Sequence, residues 1–116
     1  MKSPDWLRIL TASPRQRLPG GVQLRLLTAQ EVLEARREAA QLAESQGERA
    51  LCSNACLLAR ALESGEKPVF DSGRAVLAGL TVSEIAALAG RWREFDRKEN
   101  PSAAGTAEEL ENVKKN

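Results

Sequence analysis

The sequence predicts a mainly α protein, with about four helices behind a small N-terminal β-hairpin. Three observations carry this. Proline falls at 4, 14, 19, 68 and 101 and nowhere between 19 and 68, so the head is broken and the middle is free to be helical. Two capping boxes, Thr28-x-x-Glu31 and Thr81-x-x-Glu84, mark helix starts. Val22-Gln-Leu-Arg-Leu26 alternates apolar and polar residues directly after Pro19-Gly20-Gly21. That is the period of a half-buried strand following a turn.

The elements follow in order. Arg15-Gln-Arg-Leu18 and Val22–Leu26 are the two arms of the hairpin, and residues 6–10 offer a third strand or a loose apolar arm. Helix 1 starts at Thr28, with Leu27 and Val32 placed to pack across the cap. Val32, Leu33, Ala35, Ala39, Leu42 and Ala43 mark its apolar face. Ser45-Gln-Gly47 either breaks this helix or is a weak spot in a longer one, since glycine costs about 1 kcal/mol against alanine in a helix. Helix 2 carries the stripe Leu51, Ala55, Leu58, Leu62, flanked by Cys52, Cys56 and Ala59, and Gly65 is its expected C-terminal cap.

Lys67-Pro-Val-Phe70 is extended, because the residue before a proline avoids the helical region. Asp71 is placed to cap a short helix over Gly73 to Ala78, which Gly79 stops. The last helix starts at Thr81, with Leu80 and Ile85 packed across its cap. Ile85, Leu88, Trp92 and Phe95 recur at 3, 4 and 3 residues and form one apolar seam. Asn100-Pro101 ends it. The expected organisation is an arm and hairpin over 1–27, a helical domain over 28–100 and a flexible tail over 101–116.

Composition narrows the function. The 116 residues contain no histidine and no tyrosine, with two Trp and two Phe as the only aromatics. His-dependent catalysis and His-ligated metal sites are excluded, and a base-stacking platform has too few rings. The formal net charge is +1, which disfavours a strongly cationic nucleic-acid binder. The two cysteines make no disulfide framework, and no apolar run approaches a membrane span. The first residues lack the apolar run of a signal peptide, so an intracellular, reduced setting is expected.

No catalytic, cofactor-binding or metal-binding residues emerge. Cys52 and Cys56, at i and i+4, offer only half of a zinc site, and the pattern points to packing among Leu51, Ala55 and Ala59. The glutamates sit on helix surfaces, with no pair singled out for acid–base work. Thr81 to Gly90 has the flavour of the first helix and turn of a helix-turn-helix DNA-binding regulator. The residues after Gly90 stay in phase with the same seam, so Gly90 reads instead as a close-packing point within one helix. A binding or assembly role remains.

The stretch Leu27 to Ser102, with the strand-like residues leading into it, resembles the tail assembly chaperones of long-tailed phages and prophages. The match runs in order through Val22-Gln-Leu-Arg-Leu-Leu-Thr28, Ser53-Asn-Ala-Cys-Leu-Leu-Ala-Arg-Ala-Leu62 and Gly65-Glu-Lys-Pro-Val-Phe70. It continues through Ala75-Val-Leu-Ala-Gly-Leu-Thr81, Glu84-Ile-Ala-Ala-Leu88, Trp92-Arg-Glu-Phe-Asp96 and Asn100-Pro-Ser102.

The resemblance implies a small, mostly helical, non-enzymatic protein of the host cytoplasm, without cofactors and absent from the finished virion. It implies a homo-oligomer that coats the tape measure protein and keeps it soluble until tail tube protein polymerises around it. Charge and hydropathy add the expectation of no nucleic-acid and no membrane partner. Many such proteins also exist in a longer, frameshifted form. Phe70, Ile85, Leu88, Trp92 and Phe95 are the candidate interface residues, with a place in the monomer's own core as the alternative. Another structural phage protein, such as a head–tail connector, is the second alternative function.

Overall fold

A computed structural model describes residues 15–99. The expected strand at 6–10, the stop at Asn100-Pro101 and the tail over 101–116 lie outside the described residues. The chain forms β1 (Arg15–Arg17), β2 (Val22–Arg25), α1 (Ala29–Leu42) and a short 3-10 turn (Gln46–Glu48). It continues through α2 (Arg49–Ala61), β3 (Leu62–Ser64), β4 (Lys67–Pro68), α3 (Gly73–Gly79) and α4 (Val82–Glu99). Helix dominates, as the sequence predicts, but the hairpin is one half of a larger sheet. Four antiparallel strands lie in the order β1-β2-β3-β4.

Local chemistry explains the helix starts. Thr28 Oγ1 accepts from Glu31 N–H at 3.1 Å while Glu31 Oε1 accepts from Thr28 N–H at 3.0 Å. The same reciprocal pair joins Thr81 and Glu84 at 3.1 and 2.8 Å. Each box satisfies two backbone donors that a helix start otherwise leaves orphaned. The first hairpin closes through Leu18 N–H to Val22 O at 2.8 Å. Gly20 and Gly21 sit at φ +85° and +79°, a region that side chains with a β-carbon avoid.

Several local expectations are corrected. α2 ends at Ala61, and Leu62 leaves it in an extended conformation. Gly65 therefore caps no helix; at φ +66° it turns the second hairpin, between β3 and β4. Of the two alternatives left open at Gly47, the break holds: a 3-10 turn separates α1 from α2 there. Ser72, not Asp71, caps α3, its hydroxyl accepting from Ala75 N–H at 3.2 Å. Leu33 is 47% exposed, because it sits about 100° round α1 from Val32 and off the buried face. A β-carbon at Gly90 would meet nothing within 4 Å, so Gly90 is no close-packing point. α4 runs through it unbroken.

The core sits between the sheet and α2, with α1, α3 and α4 packed around that helix. Leu24 of β2 and its register partner Leu62 of β3 both point into it and meet Leu58, Val76, Ile85, Trp92 and Phe95. A second, smaller cluster joins Ala35 and Ala39 of α1 to Cys52 and Cys56 of α2. Small residues on both helices let the backbones approach closely.

Candidate protein-binding groove

A largely apolar surface hollow lies where the sheet meets one flank of α4. Its volume is about 430 Å³. Leu18 and Val22 supply the wall at the first hairpin, and Leu62 supplies the floor from β3. Val69 and Phe70 arrive on the segment leaving β4, and Leu80 from the link between α3 and α4. Leu88 faces it from α4, with Glu84 one turn before and Arg91 one turn after. Those three recur at 4 and 3 residues, so they share one helix flank.

The walls are held by identifiable bonds. Val69 N–H donates to Leu62 O at 3.1 Å, which extends the pairing past Pro68 and keeps Val69 beside β3. Val69 is nevertheless 41% exposed. One edge of the Phe70 ring lies against Gly79: a β-carbon there would come within 2.8 Å of the ring's Cε1. Glycine at 79 is therefore what lets the ring form one side of the groove. Leu80 N–H donates to Val76 O at 2.9 Å, fixing the α3 exit. At the rim, backbone and hydroxyl bonds from Thr81 hold the exposed Glu84 carboxyl below its ordinary value.

Behind the groove, charged groups clamp the sheet. Glu63, only 8% exposed, accepts from Arg15 at 3.1 Å and lies 3.5 Å from Arg25. Arg25 makes a second, bidentate pair with Glu31, at 3.0 and 2.5 Å. The hydrogen bond to Glu31 raises the Arg25 pKa, and the reciprocal bond from Arg25 lowers that of Glu31. Trp92 Nε1 donates to Arg25 O at 2.8 Å and ties α4 to β2.

The five residues singled out from sequence divide between two places. Ile85, Trp92 and Phe95 are buried in this chain's own core. Phe70 and Leu88 are half-buried and line the groove. Sequence reasoning did not single out Leu18, Val22, Val69 and Leu80 for this site. Their signal was present: Val22 lies on the apolar face of a strand, and Leu80 belongs to a helix-start pair. What was missing was the pairing of β2 with β3, which brings them together.

Cys52 and Cys56 are buried free thiols. Burial pushes the Cys56 thiol up to about 12, helped by the neighbouring Glu38 carboxylate, and burial raises Cys52 as well. Both are therefore protonated packing groups rather than nucleophiles. Among the described residues, no three His, Cys, Asp or Glu side chains are grouped to hold a metal ion. None of the described helices is long and apolar enough to cross a membrane. Comparison with protein-family models, curated proteins and solved structures found no match to this chain.

Proposed function

We propose that this protein is a tail assembly chaperone of the long-tailed phage type, which binds a helical tape measure protein and keeps it soluble during tail assembly. One observation carries the reading: an open, largely apolar groove beside α4, with Val69 exposed in its wall. A contiguous apolar hollow on a small domain is a candidate interaction site. A groove bounded by a helix and hydrophobic side chains suits an amphipathic helix, which presents anchors at i, i+3, i+4 and i+7. The order of motifs from Leu27 to Ser102 supplies the client's identity.

The reading has further parts. The protein acts as a homo-oligomer in the host cytoplasm, hands the client over as tail tube protein polymerises, and stays out of the mature virion. Its role is binding, without catalysis, cofactor, nucleic acid or membrane.

Co-expression with a tape measure protein of a long-tailed phage is the direct test. The native chain keeps that client in the soluble fraction and co-purifies with it as a complex larger than a monomer. Val69→Asp, which places a charge on an exposed wall, abolishes capture while leaving the fold intact. A strict monomer that neither solubilises nor co-purifies with the client ends the proposal. Salt-sensitive retention of DNA in a filter assay points instead to the regulator reading. Its presence in purified virions by mass spectrometry points to a connector.

A further inference from the structure

α4 has two flanks, and Arg91 and Arg93 stand on either side of the buried Trp92. Arg91 faces the apolar groove; Arg93 faces a second cleft, between α1, α2 and α4. This cleft consists of two adjoining hollows of about 290 and 180 Å³ that share Arg36 and Ser53. Arg49 lines one end and Arg93 the other. Three guanidinium groups thus border these two adjoining hollows, and among the described residues no acidic side chain lines them.

Those charges are largely unspent. Neither Arg36 nor Arg49 has an ion-pair partner among the described residues. Arg93 donates to Asn54 Oδ1 at 2.6 Å, a neutral partner that steadies the guanidinium without cancelling its charge. Val32 and Leu57 give the cleft an apolar wall beside the charges. Like charges gathered without compensation repel one another, and an anionic partner relieves this. Among the described residues, Trp92 is the aromatic ring that lines this cleft, and it is buried, so it offers no open face for stacking a base. An apolar wall among arginines calls for a segment that carries both carboxylates and an aliphatic side chain.

We propose that this cleft docks an acidic amphipathic segment of a protein partner, with glutamate or aspartate carboxylates on Arg36, Arg49 and Arg93 and an apolar residue against Val32 and Leu57. The site lies on the other flank of α4 from the groove and does not depend on the client reading.

Fluorescence anisotropy with the full chain tests it. The probe is a labelled helical peptide of alternating Glu- and Leu-rich turns, beside the same peptide with Gln replacing Glu. The Glu peptide binds and weakens as salt is raised, while the Gln peptide does not bind. Combined Arg36→Glu and Arg49→Glu, both exposed positions, weaken binding by about tenfold or more. The milder Arg36→Gln with Arg49→Gln weakens it less, and circular dichroism checks that both variants fold. Val69→Asp binds the peptide normally, which separates this site from the client groove. Undetectable binding, equal binding of the Gln peptide, or affinity indifferent to the arginine changes overturns the proposal. So does tighter binding of a single-stranded oligonucleotide of equal charge.

Discussion

Gly73 and Cys56 touch across the α2–α3 contact so closely that no side chain fits between them. A β-carbon on Gly73 would stand 3.1 Å from Cys56 Cα and 3.2 Å from Glu38 Oε2, besides striking the Cys56 sulfur. The first of these is backbone and cannot swing aside. The Gly73 N–H also donates to Glu38 Oε2 at 2.8 Å, while Arg60 donates to Glu38 Oε1 at 2.7 Å. Three helices therefore meet at one glycine. Gly73→Ala is expected to destabilise the fold by ~1–3 kcal/mol, the usual cost of overpacking a tight contact. Urea unfolding reads this as a lower midpoint at unchanged slope. An unchanged midpoint shows that α3 does not sit this close.

The same junction sets an acid limit. Burial alone pushes the Glu38 carboxyl up, but the bonds from Arg60 and Gly73 N–H and the Arg60 charge outweigh it, so its pKa lies below 4.5. Glu31 is lowered by its hydrogen bond from Arg25. A carboxylate with a depressed folded pKa adds stability that is present above its unfolded value and is lost as pH falls through the folded one. Stability therefore drops as pH goes below about 4.5. Glu38→Gln is less stable near neutrality and has a shallower acid limb. Urea midpoints from about pH 3 to 7 check both statements, and parallel curves for the two proteins count against the clamp.

Burial and raised pKa values make both thiols inert in the folded state. A thiol reagent near pH 8 is expected to modify Cys52 and Cys56 about 10³-fold or more slowly in the native protein than in urea, because modification must wait for opening. Rapid reaction of Cys56 alone reveals that the α2–α3 contact opens without global unfolding.

Trp92 is expected to report on the link between α4 and the sheet. Trp92→Phe keeps most of the apolar volume but leaves Arg25 O without the indole donor it meets at 2.8 Å. Losing one partner of a part-buried hydrogen bond costs ~1–3 kcal/mol. Thermal unfolding measures the loss. A variant as stable as the native chain shows that water replaces the indole.

The parts of this fold legible from sequence are those made by neighbours in the chain. Thr28 with Glu31 and Thr81 with Glu84 are three residues apart, so the caps are written locally. The seam Ile85, Trp92, Phe95 is equally local and lands in the core. β3 was not legible, because its pairing with β2 joins Gln23 to Glu63 across the whole of α1 and α2. Leu62 continues the helical stripe of α2, so nothing nearby announces that the helix stops at Ala61. Gly65 fits a helix cap and a hairpin turn alike, and only the strand pairing decides between them. The groove inherits this blindness: Phe70 and Leu88 stand out by size, whereas Leu18, Val22 and Val69 matter only once the sheet is assembled.

Gly79 offers a contrast with Gly73 that isolates the groove. A β-carbon at 79 would lie 2.8 Å from Phe70 Cε1 and 3.3 Å from Cζ, both at the far end of a half-buried side chain. A ring edge can rotate away where a backbone atom cannot, so Gly79→Ala is expected to cost clearly less stability than Gly73→Ala. Phe70 lines the groove, so a displaced ring registers there. Amide spectra should shift at Val69, Phe70 and Leu80 while those of α1 stay in place, and capture of an apolar helical client should fall. Equal destabilisation by the two alanines refutes this account of Phe70, since it shows the ring to be as fixed as the Cys56 backbone.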